Sequence, residues 1–150
     1  MKKLLFVCTG NTCRSSMAEA IAKEVIKKEN MNDWEVDSAG IFAINGQKAN
    51  EKAIDVLDNI GIDLSKHKSK RVPDNIDEYD LILTMTNYHK TFVLDNYGVN
   101  KNKIFTINKF AYGNNFDLKD PFGGEIALYE ETYNELVKAI IKVIDRIKKL

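Results

Sequence analysis

Apolar residues along this chain fall into short runs and helical stripes in regular alternation. Leu4-Leu5-Phe6-Val7 is a short apolar run that reads as a strand. Beyond a polar loop, Met17, Ile21 and Val25 recur at helical spacing, as do Ala18, Ala22 and Ile26, so a helix is predicted from near Met17. Lys27 to Asp33 is polar and reads as a connection. Trp34-Glu35-Val36-Asp37-Ser38 alternates as a strand does, and Ala39-Gly40 ends it. Phe42 to Asn50 reads as a loop able to wall a cleft. Lys52 to Ile60 carries Ala53, Val56, Leu57 and Ile60 on one helical face, with Gly61 placed as C-cap. Ile62 to Pro73 is mostly polar and irregular. Asp80 to Met85 is almost continuously apolar, as in a strand covered on both faces. Thr86 to Tyr97 then reads as a helix ending at Gly98, and Ile104 to Ile107 as a fourth strand. Glu125 to Leu150 reads as a long helix, with Leu136, Ile140, Val143 or Ile144, and Ile147 along one stripe.

Strands alternating with helices imply an α/β fold. The expectation is a single three-layer domain over residues 1–150, with a four-stranded parallel sheet flanked by helices on both faces. In such sheets ligands sit at the carboxyl ends of the strands, and Cys8 stands at one. A chain of 150 residues can bury a sizeable core.

Charge changes the picture mainly by exclusion. Lys plus Arg and Asp plus Glu both number 22, so nothing argues globally for a nucleic-acid partner. Basic residues cluster at Lys66 to Arg71 and at Arg146 to Lys149, the second being charge that suits a helix C-terminus. The two cysteines lie in one loop, so no disulfide framework is expected. No stretch approaches a membrane span, and the four apolar residues after Met1-Lys2-Lys3 fall far short of a signal-peptide core. These features predict a cytoplasmic protein with free thiols and no membrane partner, with a monomer as the expected state.

The candidate chemistry lies in Cys8-Thr9-Gly10-Asn11-Thr12-Cys13-Arg14-Ser15-Ser16. A loop between a strand and a helix converges its N–H groups on one point, and the helix dipole favours an anion there. Gly10 and Asn11 are the residues best able to supply the positive φ such a turn needs. A thiol with an ordinary pKa of about 8.5 is mostly protonated at neutral pH. Loop amides, a helix N-terminus and the guanidinium of Arg14 all favour its thiolate. The planar fork of Arg14 also grips two oxygens of a tetrahedral oxyanion. A lone cysteine here would read as core packing. Cys-x5-Arg followed by Ser, between a strand and a helix, points instead to phosphoryl transfer to sulfur.

Cys8 to Ser15 resembles the phosphate-binding loop of the low-molecular-weight protein tyrosine phosphatase family, and the likeness extends along nearly the whole chain. It looks most like the bacterial protein-arginine phosphatase branch. The resemblance implies phosphorylated protein substrates, a phosphocysteine intermediate on Cys8, and no metal or other cofactor. Thr9 to Arg14, including Cys13, would cradle the phosphoryl oxygens, and Ser15 would hydrogen-bond the departing thiolate. Asp120-Pro121-Phe122-Gly123-Gly124 alone is an ordinary turn. By resemblance, Asp120 is the general acid and Phe122 the aromatic lining the cleft. Ser38 and His67, with Asn11, would support the loop, although Ser38 reads equally well as a turn cap. For His67 a hydrogen-bonding role is preferred to one as metal ligand or base.

Thr12 bears on the substrate. Tyrosine-directed members of the family usually carry an apolar residue there, and the arginine-directed branch carries threonine. A hydroxyl and a carboxylate suit a planar polar guanidinium better than an apolar ring. Ser38 to Ala43, Met85-Thr86 before His89, and Phe122-Gly123 rather than two tyrosines point the same way. Ser16 departs from the proline usual in the family. Three alternatives remain: a tyrosine phosphatase, an arsenate reductase and a non-catalytic phosphate-binding module. The reductase lacks support because no cysteine follows Cys13, and the binding module because Cys8 and Asp120 are both present. Cys13 is either a packing residue or a disulfide partner that protects oxidised Cys8.

Overall fold

The computed structural model describes residues 1–150. Strands β1 (Lys2–Cys8), β2 (Trp34–Gly40), β3 (Leu81–Thr84) and β4 (Ile104–Thr106) form one parallel sheet in the order β2-β1-β3-β4. Helices α1 (Arg14–Lys28), α2 (Glu51–Asp58), α3 (Asn87–Asn96), α4 (Ile107–Tyr112) and α5 (Ile126–Lys148) complete the chain. The chain passes from β1 to β2 on one side and returns to β3 on the other. The carboxyl end of β1 is therefore the topological switch point, where an open parallel sheet leaves a crevice. No helix is long and apolar enough to cross a membrane.

Side chains of β1 alternate between two cores, as a strand's period of two requires. Leu4, Phe6 and Cys8 enter the larger one with α1, α2, α4 and α5. Leu5 and Val7 enter the smaller one with Ile41, Ile76, Ile82 and Val93, the last on α3. The expected three-layer α/β architecture is thus present, and its nucleophile candidate faces the larger core.

Two element boundaries differ from the sequence expectation. Helix α1 begins at Arg14, three residues before Met17; Arg14, Ser15 and Ser16 are buried although polar, so apolar periodicity does not mark them. Ser16 Oγ donates to the Cys13 carbonyl at 2.9 Å, which satisfies a buried hydroxyl that hydrophobic periodicity would place outside. At the other site, Ile107 opens α4 rather than ending β4. Thr106 caps that helix, its Oγ1 accepting from Lys109 N at 3.2 Å, and Gly113 ends it at φ 80°.

Gly40 ends β2 at the point of closest approach to the loop after β1. A Cβ there would lie 2.4 Å from the Thr9 carbonyl oxygen and 2.9 Å from Asn11 N, both backbone atoms. Gly40→Ala is therefore expected to displace the loop and lower stability by about 1–3 kcal/mol. Thermal unfolding with and without inorganic phosphate checks this: the melting temperature should fall and its rise on adding phosphate should shrink.

Candidate active site

Asn11 holds the loop in its turned conformation. Its φ is 59°, whereas Gly10, the other candidate for this role, does not take positive φ. The left-handed backbone is sustained by four hydrogen bonds. Asn11 Nδ2 donates to Ser15 Oγ (2.8 Å) and Ser38 Oγ (2.9 Å), and Oδ1 accepts from Lys70 N at 3.0 Å. The Asn11 carbonyl accepts from His67 Nε2 at 2.7 Å, so that ring nitrogen carries the proton. The expected supporting residues Ser38 and His67 thus converge on Asn11.

Glu19, which the sequence reading did not single out, gives this network its direction. Ser38 Oγ donates to Glu19 Oε1 at 2.5 Å, as it must to an ionised carboxylate, and so accepts from Asn11. Ser15 Oγ likewise accepts from Asn11, which leaves its own proton free. That hydroxyl stands 2.8 Å from Cys8 Sγ and 3.4 Å from the Ala39 carbonyl, so the sulfur is its nearer acceptor. Glu19 lies five positions along α1 from Arg14, where a glutamate reads as an ordinary solvent-facing helix residue.

The buried Arg14 donates from one guanidinium nitrogen to the Leu118 carbonyl at 2.9 Å. Its other terminal nitrogen stands 3.5 Å from Asp120 Oδ2. Asp120 is half exposed, and its Oδ1 accepts from Phe122 N at 3.0 Å, which fixes the turn that aims the carboxylate. No side chain caps α1 and no acidic residue occupies its first turn, so first-turn N–H groups are left for an anion.

Cys8, Thr9, Gly10, Thr12, Cys13, Arg14, Asp120 and Phe122 together line a cavity of about 220 Å³. Phe42 to Asn50, expected as a possible cleft wall, contributes no residue to it. That segment instead braces the loop from behind, with Phe42 N donating to the Thr9 carbonyl and Asn50 N to that of Thr12. A larger groove of about 520 Å³ lies against Glu19, Ser38 and His67 and holds neither cysteine. Both cysteines are free and buried. Burial pushes the Cys13 thiol up, and its sulfur lies 3.6 Å from Tyr129 Oη.

Residues 3–150 match the family model described as low molecular weight phosphotyrosine protein phosphatase. The chain belongs to that family. It is 38% identical over 146 residues to a protein-arginine-phosphatase of Bacillus subtilis, covering 97% of each chain. It is 35% identical over 141 residues to the low molecular weight protein-tyrosine-phosphatase PtpB of Staphylococcus epidermidis, covering 94% of this chain and 96% of the relative. A solved structure of the YwlE arginine phosphatase, a cysteine-to-serine mutant with a phosphorylated active-site serine, superposes with a TM-score of 0.94 at 38% identity. That match covers 98% of this chain and 96% of the other.

Within this phosphatase family fold, His89 is a further group joined to the loop. Its Nδ1 lies 3.2 Å from the Thr86 backbone N–H, which can only donate, so Nδ1 is unprotonated. The proton therefore sits on Nε2, which donates to Thr9 Oγ1 at 2.9 Å. Thr9 accepts from His89 and keeps its own hydroxyl proton free beside Cys8. The signal was present as Thr86-x-x-His89, a capping box with histidine in place of the usual Glu or Gln.

Burial, with the Arg14 guanidinium nearby, pushes the His89 pKa down to about 4, against a partial upward pull from Asp120 and Asp117. The unfolded chain binds this proton below about pH 6.5 while the folded chain does not until about pH 4. Stability is thus fully present above the unfolded pKa and is lost as pH falls toward the folded one. The loss from this group approaches about 1.4 kcal/mol per pH unit inside that window. Denaturant unfolding across the window should show it, and His89→Gln should flatten that part of the profile.

Proposed function

We propose that this phosphatase hydrolyses phosphoarginine in proteins through a phosphocysteine on Cys8. The observation that carries the reading is that Thr12 and Asp120 line the same cavity as Cys8 and Arg14. A hydroxyl and a carboxylate there match the N–H groups of a planar guanidinium. The relatives named as protein-arginine phosphatases support the same substrate.

In the first step the Cys8 thiolate attacks phosphorus in line and the P–N bond breaks. Asp120 gives its proton to the departing guanidine nitrogen. Loop amides from Thr9 to Arg14 and the Arg14 guanidinium hold the equatorial oxygens. In the second step water attacks phosphorus, Asp120 takes a proton from it, and the S–P bond breaks to return the thiolate. Ser15, whose proton the Glu19–Ser38–Asn11 chain leaves free, donates to that sulfur and makes it a better leaving group. Asn11, Ser38 and His67 act on the loop rather than on substrate.

Phe122 lies in the cavity wall and is 71% exposed. An apolar face there also suits a phosphotyrosine ring, which is the second reading. The two separate on one peptide carrying either phosphoarginine or phosphotyrosine. The kcat/KM for phosphoarginine should be the higher, and Thr12→Ile should lower it by about tenfold or more while sparing or raising that for phosphotyrosine. Comparable turnover of both by the unmodified enzyme would assign it to the tyrosine-directed branch.

Oxidation supplies a separate test. Peroxide converts the Cys8 thiolate to a sulfenic acid, and the Cys13 thiol then condenses with it, releasing water and forming a disulfide. Mass spectrometry after mild peroxide should find the Cys8–Cys13 crosslink, with activity restored by thiol reductant. Cys13→Ser should convert the same exposure into irreversible loss.

A further inference from the structure

Beside the catalytic loop, but outside the cavity over Cys8, three aromatic rings stand together on the surface. Phe42 is 49% and Tyr88 61% exposed, and both lie against the half-buried Phe92. The Phe42 and Phe92 rings meet edge-on with centroids 4.9 Å apart, and Tyr88 lies 6.3 Å from Phe92. Contiguous exposed aromatics of this kind mark a surface that another protein covers.

Their placement identifies what covers them. Phe42 N donates to the Thr9 carbonyl at 3.0 Å, and Ile41 N to that of Cys8 at 2.9 Å. Tyr88 precedes His89, whose ring bonds Thr9 Oγ1. The backbone segments that carry both exposed rings are thereby joined to Thr9, the residue next to Cys8. A phosphorylated side chain reaching Cys8 holds its own backbone at the cavity mouth. Neighbouring residues then extend across the adjoining surface at roughly 3.5 Å per residue.

We propose that Phe42, Tyr88 and Phe92 form a docking surface for apolar side chains of the substrate protein that flank its phosphorylated residue. The cavity receives the phosphorylated side chain itself, whereas the aromatic surface selects the sequence around it. The inference rests on the phosphatase reading above and adds a sequence preference to it.

The test compares two phosphoarginine peptides, one with leucines and one with serines flanking the phosphorylated position. Turnover of p-nitrophenyl phosphate, which has no flanking residues, is measured alongside. The enzyme should favour the leucine peptide by about tenfold in kcat/KM. Phe42→Ser with Tyr88→Ser should abolish that preference and leave the small substrate unaffected. If the double variant loses small-substrate turnover, Tyr88→Ser alone, on the exposed side of α3, is judged by the same criteria. Equal use of both peptides by the unmodified enzyme, or a preference retained in the variant, overturns the docking surface and leaves the phosphatase reading standing. A dimer in sedimentation velocity that the variant abolishes overturns it in favour of a second copy of this chain. Absence of turnover of any phosphorylated compound removes both readings.

Discussion

The left-handed backbone of Asn11 is the constraint on which the catalytic loop depends. A non-glycine residue adopts that conformation at an energetic cost, and this asparagine is repaid through both ends of its amide and its carbonyl. The partners come from α1, β2 and the irregular segment 62–73, so the loop's shape is a property of the whole domain. Because every polar atom in this buried cluster is paired, the arrangement has little freedom to rearrange.

Direction within that network matters as much as its strength. Glu19 can only accept, which orders the donors Ser38, Asn11 and Ser15 behind it and aims the last hydroxyl at the sulfur of Cys8. On the opposite side of the sheet, the backbone N–H of Thr86 sets the tautomer of His89 and hence the role of Thr9. One fixed acceptor, Glu19, and one fixed donor, the Thr86 N–H, in separate layers of the fold therefore orient two hydroxyls on the loop. The switch point at the end of β1 is where a single loop can receive both, since α1 and α3 pack on opposite faces there.

Binding and chemistry are divided between rigid and open parts. Arg14 is buried and tethered to the Leu118 carbonyl, so its fork is oriented before an anion arrives. Asp120 is half exposed on a turn closed by Phe122, where a carboxylate can exchange protons with solvent. Phe122 stands exposed in the cavity wall, while the exposed rings of Phe42 and Tyr88 lie outside it.

The four strands, the helices α1, α2, α3 and α5 and the nucleophilic loop were legible because each is written in local order. Apolar periodicity marks the elements, and the Cys-x5-Arg spacing marks the loop. Ser38 and His67 were identified only through resemblance, and both bond Asn11. Glu19 and the Leu118 carbonyl were not visible at all: one looks like any surface glutamate, and the other is backbone. Helix α4 was hidden because its six residues are too few to show a period, although Thr106 and Gly113 bracketed it. The early start of α1 was hidden because polar residues are buried there by hydrogen bonds rather than by apolarity. The sequence by itself determined the succession of elements along the chain and the reagents of the site, since both depend on neighbours along the chain. Only the tertiary structure decided which hydroxyl points where, because those directions are set by donors and acceptors that meet across β1 from distant parts of the chain.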